Sequence, residues 1–325
     1  MLQRFLRHLR APDQYPAPVA DERPTTLPPY HLRVSMIVHN PRLEIVGGQP
    51  LSAYMRWYDP EQLAQQYIAD LRACSGGLAQ YSIVERIVVD GYPIKQDGFR
   101  YDDASYLRCW QQGRGFHTSD AVDYERLLAE FELIDKIERR QIDEVWLFAF
   151  PYAGYYESTM AGNGAFWCNA PPVPATSHCQ RRFVLMGFNY ERDVGCMLEN
   201  FGHRVESIMS HVYRQHPGER NLWNRFTRFE RDMPGQAECG NVHFAPNSLR
   251  DYDWGNPRTV RSRADTWYRF PDLAGPPRPM RCDEWGGGDT RAHHCWWLNH
   301  LPRVAGETDG IRHNWWHYIL TLEDV

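Results

Sequence analysis

A chain of 325 residues with 42% hydrophobic and 24% charged side chains can bury a sizeable core, which argues against general disorder. The formal charge of -5 provides no cationic surface for a phosphate backbone, so nucleic acid is not expected as a partner. No run approaches the roughly 18 apolar residues of a membrane span, and the N-terminus MLQRFLRHLR has no uninterrupted apolar stretch of signal-peptide length. A soluble protein is therefore expected, with the cytoplasm favoured over an extracytoplasmic site.

Residues 1–30 include the proline-rich stretch APDQYPAPVADERPTTLPPY and are expected to form an extended leader. HLRVSMIVHN then has the β-branched and apolar density of a buried strand ending near Val38. In DPEQLAQQYIADLRAC, Asp59 is placed as an N-cap and Pro60 as the first helical residue. YSIVERIVVD returns to strand character and stops at Asp90-Gly91. The stretch SDAVDYERLLAEFELIDKIERR predicts one helix capped by Ser119 or Asp120, and DEVWLFAFP predicts a further strand. A loop rich in Gly, Asn and Pro leads to the strand RRFVLMGFN and a long helix behind it.

This alternation predicts an α/β fold, with a mainly parallel sheet flanked by helices. Residues 31–325 are expected to form a single domain, with 233–325 as an irregular, loop-rich aromatic cap. Its many Trp residues need partners to bury against. The eight cysteines form no CxxC pair, and a bridge between Cys168 and Cys179 is one option beside free thiols.

Ligands of open α/β sheets bind beyond the carboxyl ends of the strands. That rule selects His39 and Asn40, Asp90, Tyr152 and Glu157, and Asn189 to Glu191, although such residues are also ordinary turn formers. Glu157 lies in sequence among Tyr152, Tyr155, Tyr156 and Trp167, a setting that suits a general acid.

The sharpest signal is ENFGHRVESIMSH. At about 100° per residue, Glu199, His203, Glu206 and Ser210 fall within a stripe roughly 60° wide. HxxE brings an imidazole and a carboxylate to one divalent cation. His243 in GNVHFAPN is the preferred third ligand, followed by His293 or His294. The same stripe also fits a buried polar network with Arg204 or Arg192, as buried polar groups must find partners. HExxH, the GxSxG elbow and phosphate-binding loops are all absent. In the cap, Asp251 and Asp253 of DYDW are candidates for Ca²⁺ or sugar hydroxyls.

These residues predict a metal-dependent hydrolase of a peptide or glycan substrate. His203, Glu206 and His243 would hold a divalent ion, Zn²⁺ by donor type, while Glu199 or Glu157 moves protons. Two alternatives are a metal-free glycoside hydrolase using Glu157 with Glu206 or an Asp of DYDW, and a noncatalytic glycan-binding or interaction protein. Nothing in the sequence indicates an oligomeric state.

Overall fold

The computed structural model describes residues 27–325, so most of the leader expected over residues 1–30 lies outside the described residues. A five-stranded sheet organises the chain. Strand β1 (Tyr30–His39) lies beside β2 (Ala79–Val89) on one flank and β3 (Glu144–Ala149) on the other. Beyond β3 come β5 (Phe183–Asn189), parallel to it, and the short edge strand β4 (Ser158–Ala161), antiparallel to β5. The order is therefore β2-β1-β3-β5-β4, mostly parallel as the sequence predicts. The expected Gly/Asn/Pro loop contains β4, which is too short to announce itself by periodicity.

Alternation along the strands sends side chains to two cores. Val34, Met36, Val38, Trp146, Phe148 and Phe188 face one core, and Ile37, Val145, Leu147, Phe183 and Leu185 face the other. Burial on both faces explains why β1, β3 and β5 read as continuous apolar runs.

Helix α1 (Pro60–Cys74) starts as expected, with the Asp59 carboxylate accepting the Glu61 and Gln62 amides. Helix α2 (Asp103–Gln112) opens on an Asp102/Ser105 capping box that the sequence reading overlooked. The single helix expected after Ser119 is instead two short ones, Tyr124–Glu130 and Leu133–Glu138, capped at Asp123. Asp120 cannot serve as the cap because it pairs with the buried Lys95 ammonium at 2.6 Å, and Glu132 at φ 52° divides the two helices.

Helix α3 (Val194–Val212) carries the stripe singled out above. Its apolar side, including Leu198, Phe201, Val205 and Ile208, is buried, and it packs against α1, α4 (Thr290–Asn299) and α5 (Trp315–Thr321). Both α4 and α5 fall within the segment expected to be irregular. Trp, His and Cys supply their buried faces, for instance His293, His294, Cys295 and Trp297 in α4, so hydrophobic periodicity is weak there. Trp223, Phe226, Trp267, Phe270, Trp297 and Trp315 form a C-terminal aromatic cluster, with Phe226 5.1 Å from Trp267 and 5.6 Å from Trp315 between ring centroids. All eight cysteines are free thiols, so Cys168 and Cys179 are not bridged.

A buried ion pair ties α3 to the sheet. Arg204 Nη1 lies 2.7 Å from Glu144 Oε2 and Nη2 donates to the Ile319 carbonyl, with both ionic side chains almost fully buried. Trp146 Nε1 and Tyr81 Oη also donate to the Glu144 carboxylate. Substituting Arg204→Met would leave that carboxylate buried without its cation, at a cost of about 3–5 kcal/mol in urea unfolding. In the double variant Arg204→Met/Glu144→Gln, much of that loss is expected to be recovered.

Candidate metal centre

Three segments converge at the side of α3. The first is the helix, whose spacing points Glu199, His203 and Glu206 in one direction. The second is the turn bearing His243. There the Asn241 side chain accepts the His243 and Phe244 amides, and Gly240 at φ 75° would bring a Cβ within 2.0 Å of the Phe244 carbonyl. This turn approaches α3 closely because position 202 is glycine: a Cβ there would lie 2.6 Å from Val242 Cγ2. The third segment is DYDW, which folds back onto His243.

His203 Nδ1 is 2.9 Å from Glu206 Oε2, while Glu206 Oε1 accepts the Val242 amide at 3.1 Å. His243 Nδ1 is 3.1 Å from Asp251 Oδ1. The two Nε2 atoms face each other at 3.0 Å, and Glu199 Oε1 lies 3.4 Å from that of His243. Tyr252, held at φ 57°, brings its hydroxyl to 3.1 Å from the same nitrogen. One ligand atom from each of Glu199, His203 and His243 lies within 4.8 Å of the other two. This His/His/Glu cluster is compatible with chelation of a divalent metal ion.

Charge within the cluster is mutually reinforcing. Burial disfavours ionised Glu199, but its hydrogen bond to His243 and the neighbouring His294 and Tyr252 hold its carboxyl below the usual range. Burial also opposes a charged His203, yet Glu206, Glu157 and Glu199 together raise its pKa. The hydrogen bond to Glu199 raises that of His243 against burial and the nearby His203.

The other expected residues divide clearly. Glu157 Oε2 lies 4.0 Å from His203 Nε2 and accepts from Asn169 Nδ2, but the side chain is half-exposed rather than enclosed by its aromatic sequence neighbours. His294 is buried and donates its Nδ1–H to the Thr290 carbonyl at 2.8 Å; burial pushes its pKa down to about 4. His293 stacks on Trp254. Arg204 turns to Glu144, away from the stripe, and Ser210 accepts from Trp223 Nε1. Asp251 and Asp253 separate: Asp251 serves His243, whereas Asp253 closes its own loop by accepting the Leu249 amide and Asn256 Nδ2. At the strand exits, Asn40 pairs with Ser52 and Asp90 accepts the Arg42 amide, which is turn chemistry.

A cavity of about 230 Å³ opens at the carboxyl ends of β3 and β5. Glu157 and Glu199 both line it, with Tyr152, Asn189, Arg192 and Asn200. Tyr252 and Asn200 were not singled out from sequence, and Arg192 was named only as a possible partner of the stripe. For Arg192 and Asn200 the available signal was position, just after a strand and on the helix beside Glu199. Among the described residues no helix is long and apolar enough to cross a membrane. Compared with protein-family models and with curated proteins, the chain matches none of them, so the site is interpreted from its own geometry.

Proposed function

We propose that the chain is a metal-dependent hydrolase of a peptide or glycan, with Zn²⁺ bound by His203, His243 and Glu199. The observation that carries this reading is the pair of Nε2 atoms facing each other at 3.0 Å while each Nδ1 sits against a carboxylate. Carboxylates hold a proton on each Nδ1, which leaves a lone pair on each Nε2. Two lone pairs at that distance repel unless a proton or a metal cation lies between them, and a metal ion would take the place of the proton that the raised pKa values keep there in the metal-free chain. Tetrahedral ligands at Zn²⁺ distances sit about 3.3 Å apart; two of the pairs stand at 3.0 and 3.4 Å, within a set spanning up to 4.8 Å.

On this assignment Glu206 and Asp251 orient the imidazoles instead of binding the ion, a role that raises ligand basicity. A divalent ion held by these residues would supply Lewis acidity to a water, and Glu157, 4.0 Å from His203 Nε2 and half-exposed, would be the residue to accept its proton. The polar cavity and the exposed rings of Tyr152, Trp167 and Tyr252 suit a hydroxyl- or amide-bearing substrate.

The test is elemental analysis of untagged protein, followed by hydrolysis of peptide and glycan panels before and after chelation. Near-stoichiometric metal and activity restored by adding it back are expected. Affinity should also rise with pH, because both histidines have raised pKa values in the metal-free chain and must lose a proton to bind. Titration calorimetry in buffers of different ionisation enthalpy would detect the released protons; a pH-independent affinity would count against these ligands. A second reading draws on Glu157 and Glu199 lining one cavity, as a metal-free glycosidase requires. Glycan hydrolysis that survives complete chelation would favour it.

A further inference from the structure

A second and larger cavity, about 460 Å³, opens beyond the carboxyl ends of β1 and β2, where His39 and Val89 end their strands. Open α/β sheets bind ligands at this edge. The cavity shares no lining residue with the one beside the metal centre; between them Tyr155, which lines the latter, meets His39 Nδ1 through its hydroxyl at 2.7 Å.

Arg100 and Arg126 both line this cavity, and neither guanidinium has a carboxylate or hydrogen-bond partner among the described residues. Elsewhere in the fold other arginines do have one, including Arg33, Arg86 and Arg181. Arg100 is also accommodated by a specific gap. A Cβ on Gly91 would lie 2.4 Å from Arg100 Nη2, although the backbone at Gly91 does not itself demand glycine. His39 is 94% buried at the base, and burial together with Arg100 pushes its pKa down to about 4, so the ring is neutral. With the Tyr155 hydroxyl donating to His39 Nδ1, the neutral ring carries its proton on Nε2, which has no hydrogen-bond partner among the described residues.

We propose that this cavity binds a small ligand through one oxyanion group, a phosphate or a carboxylate, held by Arg100 and Arg126 with His39 as a neutral donor. The planar guanidinium fork matches both anions. Asp123 and Glu130 also line the cavity; Asp123 accepts the Arg126 amide, while Glu130 is left exposed. Glu130 therefore disfavours a polyanion and suits a ligand whose remainder carries hydroxyl or ammonium groups. This proposal does not depend on the metal reading.

The probes are phenyl phosphate and phenylacetate, titrated calorimetrically into the full chain at fixed ionic strength; whichever binds more tightly identifies the anion. Saturable binding of at least one is expected, weakened about tenfold or more in Arg100→Gln and Arg126→Gln. Gly91→Ala should weaken it similarly by displacing the Arg100 guanidinium. Because both arginines are exposed and unpaired, their variants should keep the parent circular dichroism. In the parent, the bound probe should also slow amide exchange over residues 94–100 and 122–130, a readout that needs no variant. Absence of saturable binding at millimolar concentration, or affinity unchanged in both arginine variants, would overturn the proposal.

Discussion

His203→Ala is expected to strip the chain of its metal, and with it any metal-dependent hydrolysis, while leaving the fold intact. His203 contributes one of the three clustered ligand atoms and is the residue that contacts both Glu206 and His243. Without it, Glu199 and His243 remain as two donors, too few for a closed tetrahedral site. The informative comparison is Glu206→Gln. Glu206 bonds the far side of His203 and the Val242 amide, so its loss should reduce metal affinity by about 10–100-fold without abolishing binding. Elemental analysis across a series of free-metal concentrations separates the two: His203→Ala stays empty throughout, whereas Glu206→Gln fills at the high end. Equal loss in both would make Glu206 a direct ligand, as the HxxE spacing suggests. Retention of metal by folded His203→Ala would refute the centre altogether.

That comparison also shows what a linear sequence can convey. Helical spacing put Glu199, His203 and Glu206 on one stripe, but it cannot tell which oxygen faces an ion and which faces an imidazole nitrogen. The choice is made by Val242, whose amide occupies Glu206 Oε1, and Val242 is 36 residues away. His243 was named because a two-ligand helical pair needs at least one more ligand from elsewhere in the chain. Asp251 and Tyr252 close the same site by a loop with Tyr252 at positive φ, a conformation that DYDW does not advertise. The sheet was legible because β1, β3 and β5 are buried on both faces and largely apolar. Helices α4 and α5 were not, because residues such as His293, His294 and Trp316 count as polar or ambiguous in a periodicity yet are buried here.

Acidification is expected to destabilise the protein steeply between pH 6.5 and pH 4. Burial pushes both His39 and His294 down from 6.5 to about 4. In the unfolded chain both take up protons near 6.5, whereas the folded chain resists until about 4. The unfolded state therefore binds more protons across this window, and stability falls as pH falls. Each histidine accounts for about 3 kcal/mol over that range, and the two together for about 6 kcal/mol. His203 and His243 act with the opposite sign in the metal-free chain. Their raised pKa values give stability that is present below 6.5 and lost as pH rises through the folded values. Metal-free protein should accordingly be most stable near the ordinary histidine range, whereas bound metal, favoured by deprotonation, should lift the alkaline side. Urea midpoints from pH 8 to pH 4, with chelator and with added Zn²⁺, would trace both limbs. His294→Asn, which can keep a donor to the Thr290 carbonyl, should remove its own share of the acid slope, with His39 and the buried His293, which burial also holds well below 6.5, carrying the rest. An unchanged acid slope in both His294→Asn and His39→Asn would assign the acid lability to other groups.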